Sequence, residues 1–214
     1  MALDTNLQAV TRGDTAKVYL EANDLKDLFI SQNLPPYAAM TLNGYRWKVK
    51  TATAFTAQVV LPATVANLEI KNNHATSLMV VDTIDAWQII GSAVAEGFAL
   101  FAQVGAPVIA SIDSLVVYSG NGSAKYTSGA ATDISTDTEQ TVVAAGWEQF
   151  PGSTWGKALN AATPGGGLVG QVDGRLIVPP GKALHIAVTG SVGTATGWHC
   201  GASWYLVPGL TNVT

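Results

Sequence analysis

The sequence predicts an all-β protein, an antiparallel β-sandwich or jelly roll with an extended N-terminal arm. Three observations carry this. Apolar and polar residues alternate over short runs from Tyr45 onward, the period of a half-buried strand. Clusters of Gly, Pro, Asn and Asp separate those runs about every ten positions. Nowhere do apolar residues keep helical spacing over the length of a long amphipathic helix. Short strands between frequent turns are the grammar of sandwiches and jelly rolls.

Residues 1 to 40 stand apart from the rest. They gather Glu21, Asp24 and Asp27, end at Pro35-Pro36 and lack the alternation of a core strand. They read as an arm, with a little local structure at LKDLFI (25 to 30), that gains order against a partner. Residues 41 to 214 form the β domain. In YRWKVKT, Tyr45, Trp47 and Val49 point one way and Arg46, Lys48 and Lys50 the other. QVVLP (58 to 62) and NLEIKN (67 to 72) are further short strands. TSLMVVDTIDAWQII (76 to 90) is apolar on both faces, with Leu78, Val80 and Ile84 set against Met79, Val81 and Trp87. FALFAQV (98 to 104) is also two-sided, the mark of a strand inside a sandwich or under a partner chain. SLVVYS (114 to 119) and QTVVAA (140 to 145) flank a Gly-, Ser- and Thr-rich stretch expected to be an exposed loop. Asp173-Gly174 between VGQV and RLIV predicts a hairpin, because both central residues of a type I′ turn need positive φ. Pro179-Pro180-Gly181 then turns the chain into KALHIAVT, and WHCGASWYLVP closes the domain.

Composition adds a functional expectation. At 48% hydrophobic, the chain of 214 residues buries a core without help from a metal or disulfide. Only 12% of its residues are charged, against roughly 25% in ordinary soluble domains. Part of the surface is therefore expected to lie against neighbours, and closed symmetry makes a homotrimer the first expectation. The best candidate for a membrane span, Gly97 to Ile112, contains Gly105 and Pro107 and is shorter than the ~20 residues of a spanning helix. The N-terminus carries Asp4 and no basic stretch before an apolar run, so no signal peptide and no membrane partner are expected. A net charge of −4 gives no overall attraction to nucleic acid. Cys200, between Trp198 and Trp204, reads as a small buried hydrophobe.

The motifs that could carry chemistry are sparse. His74, His185 and His199 lack the paired spacing of zinc ligands, and adjacent His199 and Cys200 leave opposite faces of a strand. Asp133, Asp137 and Glu139 lack the regular spacing and glycine of a calcium loop. Asp82 and Asp85 are the acids embedded in apolar strand, and their odd spacing predicts opposite faces, too far apart for acid/base work. Gly165-Gly166-Gly167 precedes a strand, so it reads as a loop and not a phosphate cradle. Arg12-Gly13-Asp14 reads as a chance match to the integrin-binding tripeptide, and the sequons at Asn121 and Asn212 as inert without a signal peptide. No cofactor, metal or catalytic residue is expected, and the protein reads as a non-enzyme.

Two groups remain as candidate surfaces. Arg46, Lys48 and Lys50 are either an edge strand blunted by charge or a docking face for an acidic protein surface. Nucleic acid comes third, because stacking aromatics would have to share that face while Tyr45 and Trp47 point away. Trp147, Phe150 and Trp155 lie in the Gly/Pro-rich segment GWEQFPGSTWGK. Rings on a loop there can plug the end of a sandwich, pack at a subunit interface or stack on a sugar.

Asn72-Asn73 before a two-sided strand, the GWE segment, and GQVDGRLIVPPGKALHIAVTG before a Trp-bearing last strand carry a resemblance. Over about residues 67 to 207 the chain resembles a tailed-bacteriophage virion structural protein of the head-decoration, or cement, type. The resemblance implies a capsid-stabilising subunit in a virion, made in the host cytoplasm, whose partners are further copies of itself and a major capsid protein. It transfers no functional residue. The alternative expectation is a carbohydrate-binding β-sandwich module of a phage tail or baseplate, with glycan meeting the loop tryptophans.

The alternation also predicts the core. Leu184, Ile186 and Val188 share one face, and Trp198, Cys200, Ala202, Trp204 and Leu206 share another. Ala187 points away from Ile186 and, if its face meets water, tolerates Ser.

Overall fold

The computed structural model describes residues 38–42, 44–59, 64–91, 96–108, 115–122, 125–127, 134–138, 140–143, 145–157, 166–190 and 196–207. The expected arm therefore lies outside the described residues except for 38–40, as do Arg12-Gly13-Asp14, Asp133, Glu139 and Asn212.

The fold is all-β, an antiparallel sandwich of two sheets. The first sheet runs in the order β11 (Gly167–Gln171), β4 (Leu78–Ile90), β14 (Gly197–Val207), β1 (Arg46–Lys50), β6 (Val116–Ser119), β7 (Lys125–Thr127). β12 (Ile177–Val178) also pairs with β4. The second sheet runs β10 (Glu148–Lys157), β5 (Glu96–Gly105), β13 (Ala183–Gly190), β3 (Leu68–Asn72), β8 (Ile134–Asp137). A two-stranded pair, β2 (Val65–Ala66) with β9 (Gln140–Thr141), and a five-residue helix α1 (Ala38–Leu42) complete the elements.

One apolar cluster fills the space between the sheets. Trp47, Val49, Met79, Val81, Ile84, Trp198, Cys200 and Trp204 come from the first sheet, and Leu68, Ile70, Leu100, Leu184, Ile186 and Val188 from the second. The Phe98 and Trp198 rings meet across it with centroids 4.7 Å apart. The predicted core faces of β13 and β14 are thus both inward. Burial drives the Cys200 thiol well above its ordinary pKa, with Asp85 adding to the rise, so it packs as a protonated apolar group.

Several local expectations need correction. β1 pairs with β14 on one side and β6 on the other, so the Arg46–Lys50 strand is central and not a blunted edge. The Asp173-Gly174 turn forms with φ of 48° and 75° and an Arg175 N–H to Val172 carbonyl bond of 2.9 Å. It makes no hairpin. β11 and β12 both run antiparallel to β4, so the turn loops out of one continuing path and the chain keeps its direction. GWEQFPGSTWGK is largely strand β10, outermost in its sheet, where Pro151 removes no ladder bond that matters and a register shift lies between Gln149 and Thr154. The stretch expected to be an exposed loop contains β7 and β8, and Ile134, Ser135 and Thr136 are buried. Of QVVLP, only Gln58 and Val59 are described, and Gln58 forms an isolated bridge to Thr189.

The largest correction concerns β13. All eight of its residues are buried, Ala187 included at 0% exposure, because both of its faces are covered. Side chains on the side away from the core hydrogen-bond to overlying segments. Gln103 Nε2 donates to the Val143 carbonyl at 3.0 Å, and the Val108 N–H donates to Glu69 Oε1 at 2.9 Å. Asn67 Oδ1 accepts from the Val188 N–H at 2.8 Å. At one end Asn72 ties the two sheets together, its Nδ2 donating to the Ser77 and Val178 carbonyls, each at 2.9 Å.

Candidate ligand-binding recess

β4 departs from simple alternation, and that departure builds the site. Met79 and Val81 point inward, then Ile84, Ala86 and Gln88 do. The phase changes because Ser203 pairs with Thr83 while Trp204 pairs with Val81, leaving Asp82 as an extra residue. A β-bulge of this kind re-aims the side chains beyond it. Asp82 and Asp85, expected on opposite faces, therefore both look outward. Two adjacent polar residues, Asp82-Thr83, in an otherwise apolar run were the signal for it.

Both carboxylates meet the basic row of β1. Arg46 Nη2 lies 3.6 Å from Asp82 Oδ2, and Ser203 Oγ donates to the same oxygen at 3.2 Å. Thr83 Oγ1 and Ser203 Oγ are 2.7 Å apart. Burial raises the Asp85 pKa, and the Lys50 charge opposes the rise. Lys50 Nζ also sits 5.8 Å from the centroid of the Trp87 ring, which stacks on His199 at 5.6 Å. His199 Nδ1 is fixed 3.0 Å from both Thr51 Oγ1 and the Thr51 carbonyl. Gly201 makes room for Asp85: a methyl group there would stand 2.7 Å from the Val49 carbonyl oxygen and 3.3 Å from Asp85 Oδ1.

The three cations of β1, with Thr83, Asp85, Trp87 and Ser203, line a recess of about 670 Å³ on the outer face of the first sheet. Tyr118, directly across the ladder from Lys48, forms its other wall with Ser119 and Gly120. Such a recess lies within the roughly 300–1,000 Å³ of small-molecule sites. Arg46, Lys48 and Lys50 are thus one surface, as expected. The acids, hydroxyls and rings beside them were not foreseen, because they arrive from β4, β6 and β14.

The other candidate group is described in part. Phe150 is 4% exposed and belongs to the core, with the Arg175 guanidinium 5.5 Å from its ring, so it presents no face to a glycan or partner. Trp147 is half-buried, and its Nε1 is buried without a hydrogen-bond partner. Trp155 lies in β10 opposite Phe98, and its side chain is outside the described residues.

A second polar cluster sits on the covered side of the second sheet. His185 faces Glu69 across the ladder, Nε2 to Oε2 3.5 Å, with Gln103 on its other side. An acid beside an imidazole suggests proton chemistry, but Glu69 and His185 are 0% and 1% exposed, so no substrate reaches them in this conformation. They act as a buried tie between sheet and cover. Among the described residues no group of three or more His, Cys, Asp or Glu is arranged to hold a metal ion, and no helix is long and apolar enough to cross a membrane.

No family model, curated protein or solved structure matches the chain.

Proposed function

We propose that this protein is a non-enzymatic structural subunit that works by assembling with other protein surfaces, as a capsid-decoration protein of a phage-type virion. The observation that supports this best is the rim of the first sheet. Ile89, Ile90, Val169 and Ile177, on β4, β11 and β12, are between 40 and 55% exposed. Exposed branched apolar side chains on one sheet mark a surface that a partner covers. Burying that rim against copies of the chain fits a surface with 12% charged residues, and a homotrimer closes the contact without leaving one rim open. The major capsid protein of the same particle is the second partner in this reading.

Sedimentation equilibrium tests it. The full chain is expected to be oligomeric at micromolar concentration, and Val169→Asp with Ile177→Asp is expected to yield a folded monomer. A wild-type chain that stays monomeric at that concentration would overturn the reading. Cross-linking in intact particles, expected to join the chain to a shell protein, tests the location.

A further inference from the structure

We propose that the recess on the outer face of the first sheet binds a carboxylated saccharide, with Lys48 holding the carboxylate and the Tyr118 ring supporting the sugar. This is independent of the assembly reading, which rests on the β11–β12 rim.

Charge supplies the first argument. Arg46, Lys48 and Lys50 line the recess with one carboxylate, Asp85, and Asp82 pairs with Arg46 beside it, so one positive charge is left in excess. Its location is specific. Arg46 is engaged by Asp82, and Lys50 by Asp85 and the Trp87 ring. Lys48, between them on the strand, is exposed and forms no ion pair among the described residues. A single anionic group is what such a site attracts; a dense polyanion would run along Asp82 and Asp85.

The second argument concerns what can read the site. β1 is hydrogen-bonded to β14 and β6 along this face, so a peptide cannot dock here by adding a strand. Recognition is left to side chains. Those present combine a carboxylate acceptor (Asp85), hydroxyls (Thr83, Ser203) and donors (Arg46, Lys48). Sugar hydroxyls both donate and accept, so they suit a lining of that mixture. The aromatic surfaces sharpen the choice. Trp87 already has His199 stacked on it and Lys50 over it, whereas the Tyr118 side chain is 47% exposed beside Lys48. One open ring next to one open cation suits a single sugar acid. A nucleic-acid strand gains affinity from stacking successive bases on several rings.

Calorimetry with the full chain tests this, using galactose trimers that carry one galacturonate each as the probe. Their methyl-esterified form, a poly-glutamate peptide and an oligo(dT) strand serve as competitors for the assignment. The acid trimer is expected to bind and its ester to bind at least about tenfold more weakly, since the charge-assisted contact is lost. Lys48→Ala and Tyr118→Ala are each expected to weaken the acid trimer by a similar factor, while Lys182→Ala, an exposed lysine on β13's leading turn, changes nothing. Lys48→Gln keeps the stem and separates charge from packing, and unfolding curves of each variant show whether it folds. Absence of binding, equal binding of the ester, or an equal loss in Lys182→Ala would overturn the proposal. Tighter binding of poly-glutamate would assign the recess to an acidic peptide, and tighter binding of oligo(dT) to nucleic acid, each against it. Sedimentation of the Lys48→Ala chain keeps the two readings apart, because its oligomeric state is expected to match wild type.

Discussion

The sandwich has two outer faces, built from strands of similar pattern, and they meet opposite surroundings. On the first sheet, Lys48, Lys50 and Tyr118 stand in solvent around a recess. On the second, Glu69, Gln103, His185, Ala187 and Thr189 occupy equivalent outward positions and are each no more than 5% exposed. The difference comes from connections. The segments around Val108 and Val143 lie over the second sheet and hydrogen-bond to its outward side chains. Alternation therefore tells which side chains share a face, and the loops decide whether that face is wet. A polar residue costs little on one face and must be satisfied on the other.

That contrast can be broken most severely at the covered face. His185→Ala removes one partner of the buried Glu69–His185 pair and is expected to cost about 3–5 kcal/mol in urea unfolding. A loss under 1 kcal/mol would mean that water replaces the imidazole. Asn72→Ala removes the two donated bonds that tie β3 to Val178 and Ser77, and is expected to cost about 1–3 kcal/mol. Ala187→Ser adds a hydroxyl to a fully buried site, and about 1–3 kcal/mol is expected where the alternation alone predicts almost none. Lys48→Ala, the matching change on the open face, is expected to stay within about 0.5 kcal/mol of wild type.

The smallest effect is a titration. Burial holds the Asp85 carboxyl above its unfolded pKa, and Lys50 pulls it down. A raised carboxyl favours folding while it is protonated, so its contribution is lost as pH rises through the folded value. Lys50→Met removes the opposing charge. The Asp85 midpoint is expected to move to higher pH, followed by carbon-detected NMR, and an unchanged or lower midpoint would show that Lys50 does not act on it.

Much of the fold was legible because it depends on local pattern. The strands around Trp47, Leu68 and Trp204 and the positive-φ pair Asp173-Gly174 follow from alternation and turn chemistry. What the turn does was not legible. The pair reads as a hairpin, yet β4 captures the chain on both sides of it, a long-range contact that no local residue encodes. The basic row was visible for the same reason as the strands. Its companions Trp87, Asp85 and Tyr118 lie far along the chain, and one extra residue in β4 was enough to misassign the acid. Phe150 shows the converse, since a Gly- and Pro-rich neighbourhood concealed a strand at the sheet's limit.

The surplus residue at Asp82 also sets where the gene can change length. Removing one residue inside a strand ordinarily turns every later side chain inside out. Removing Thr83 would instead join Asp82 to Ile84 and restore unbroken alternation, with Met79, Val81, Ile84 and Ala86 still inward. One codon could thus vanish there with the interior intact, at the expense of a hydroxyl in the recess. The same deletion at Val81 would turn Asp82 into the interior, and at Ala86 it would turn Trp87 there, so the bulge is a built-in point of tolerance next to the recess.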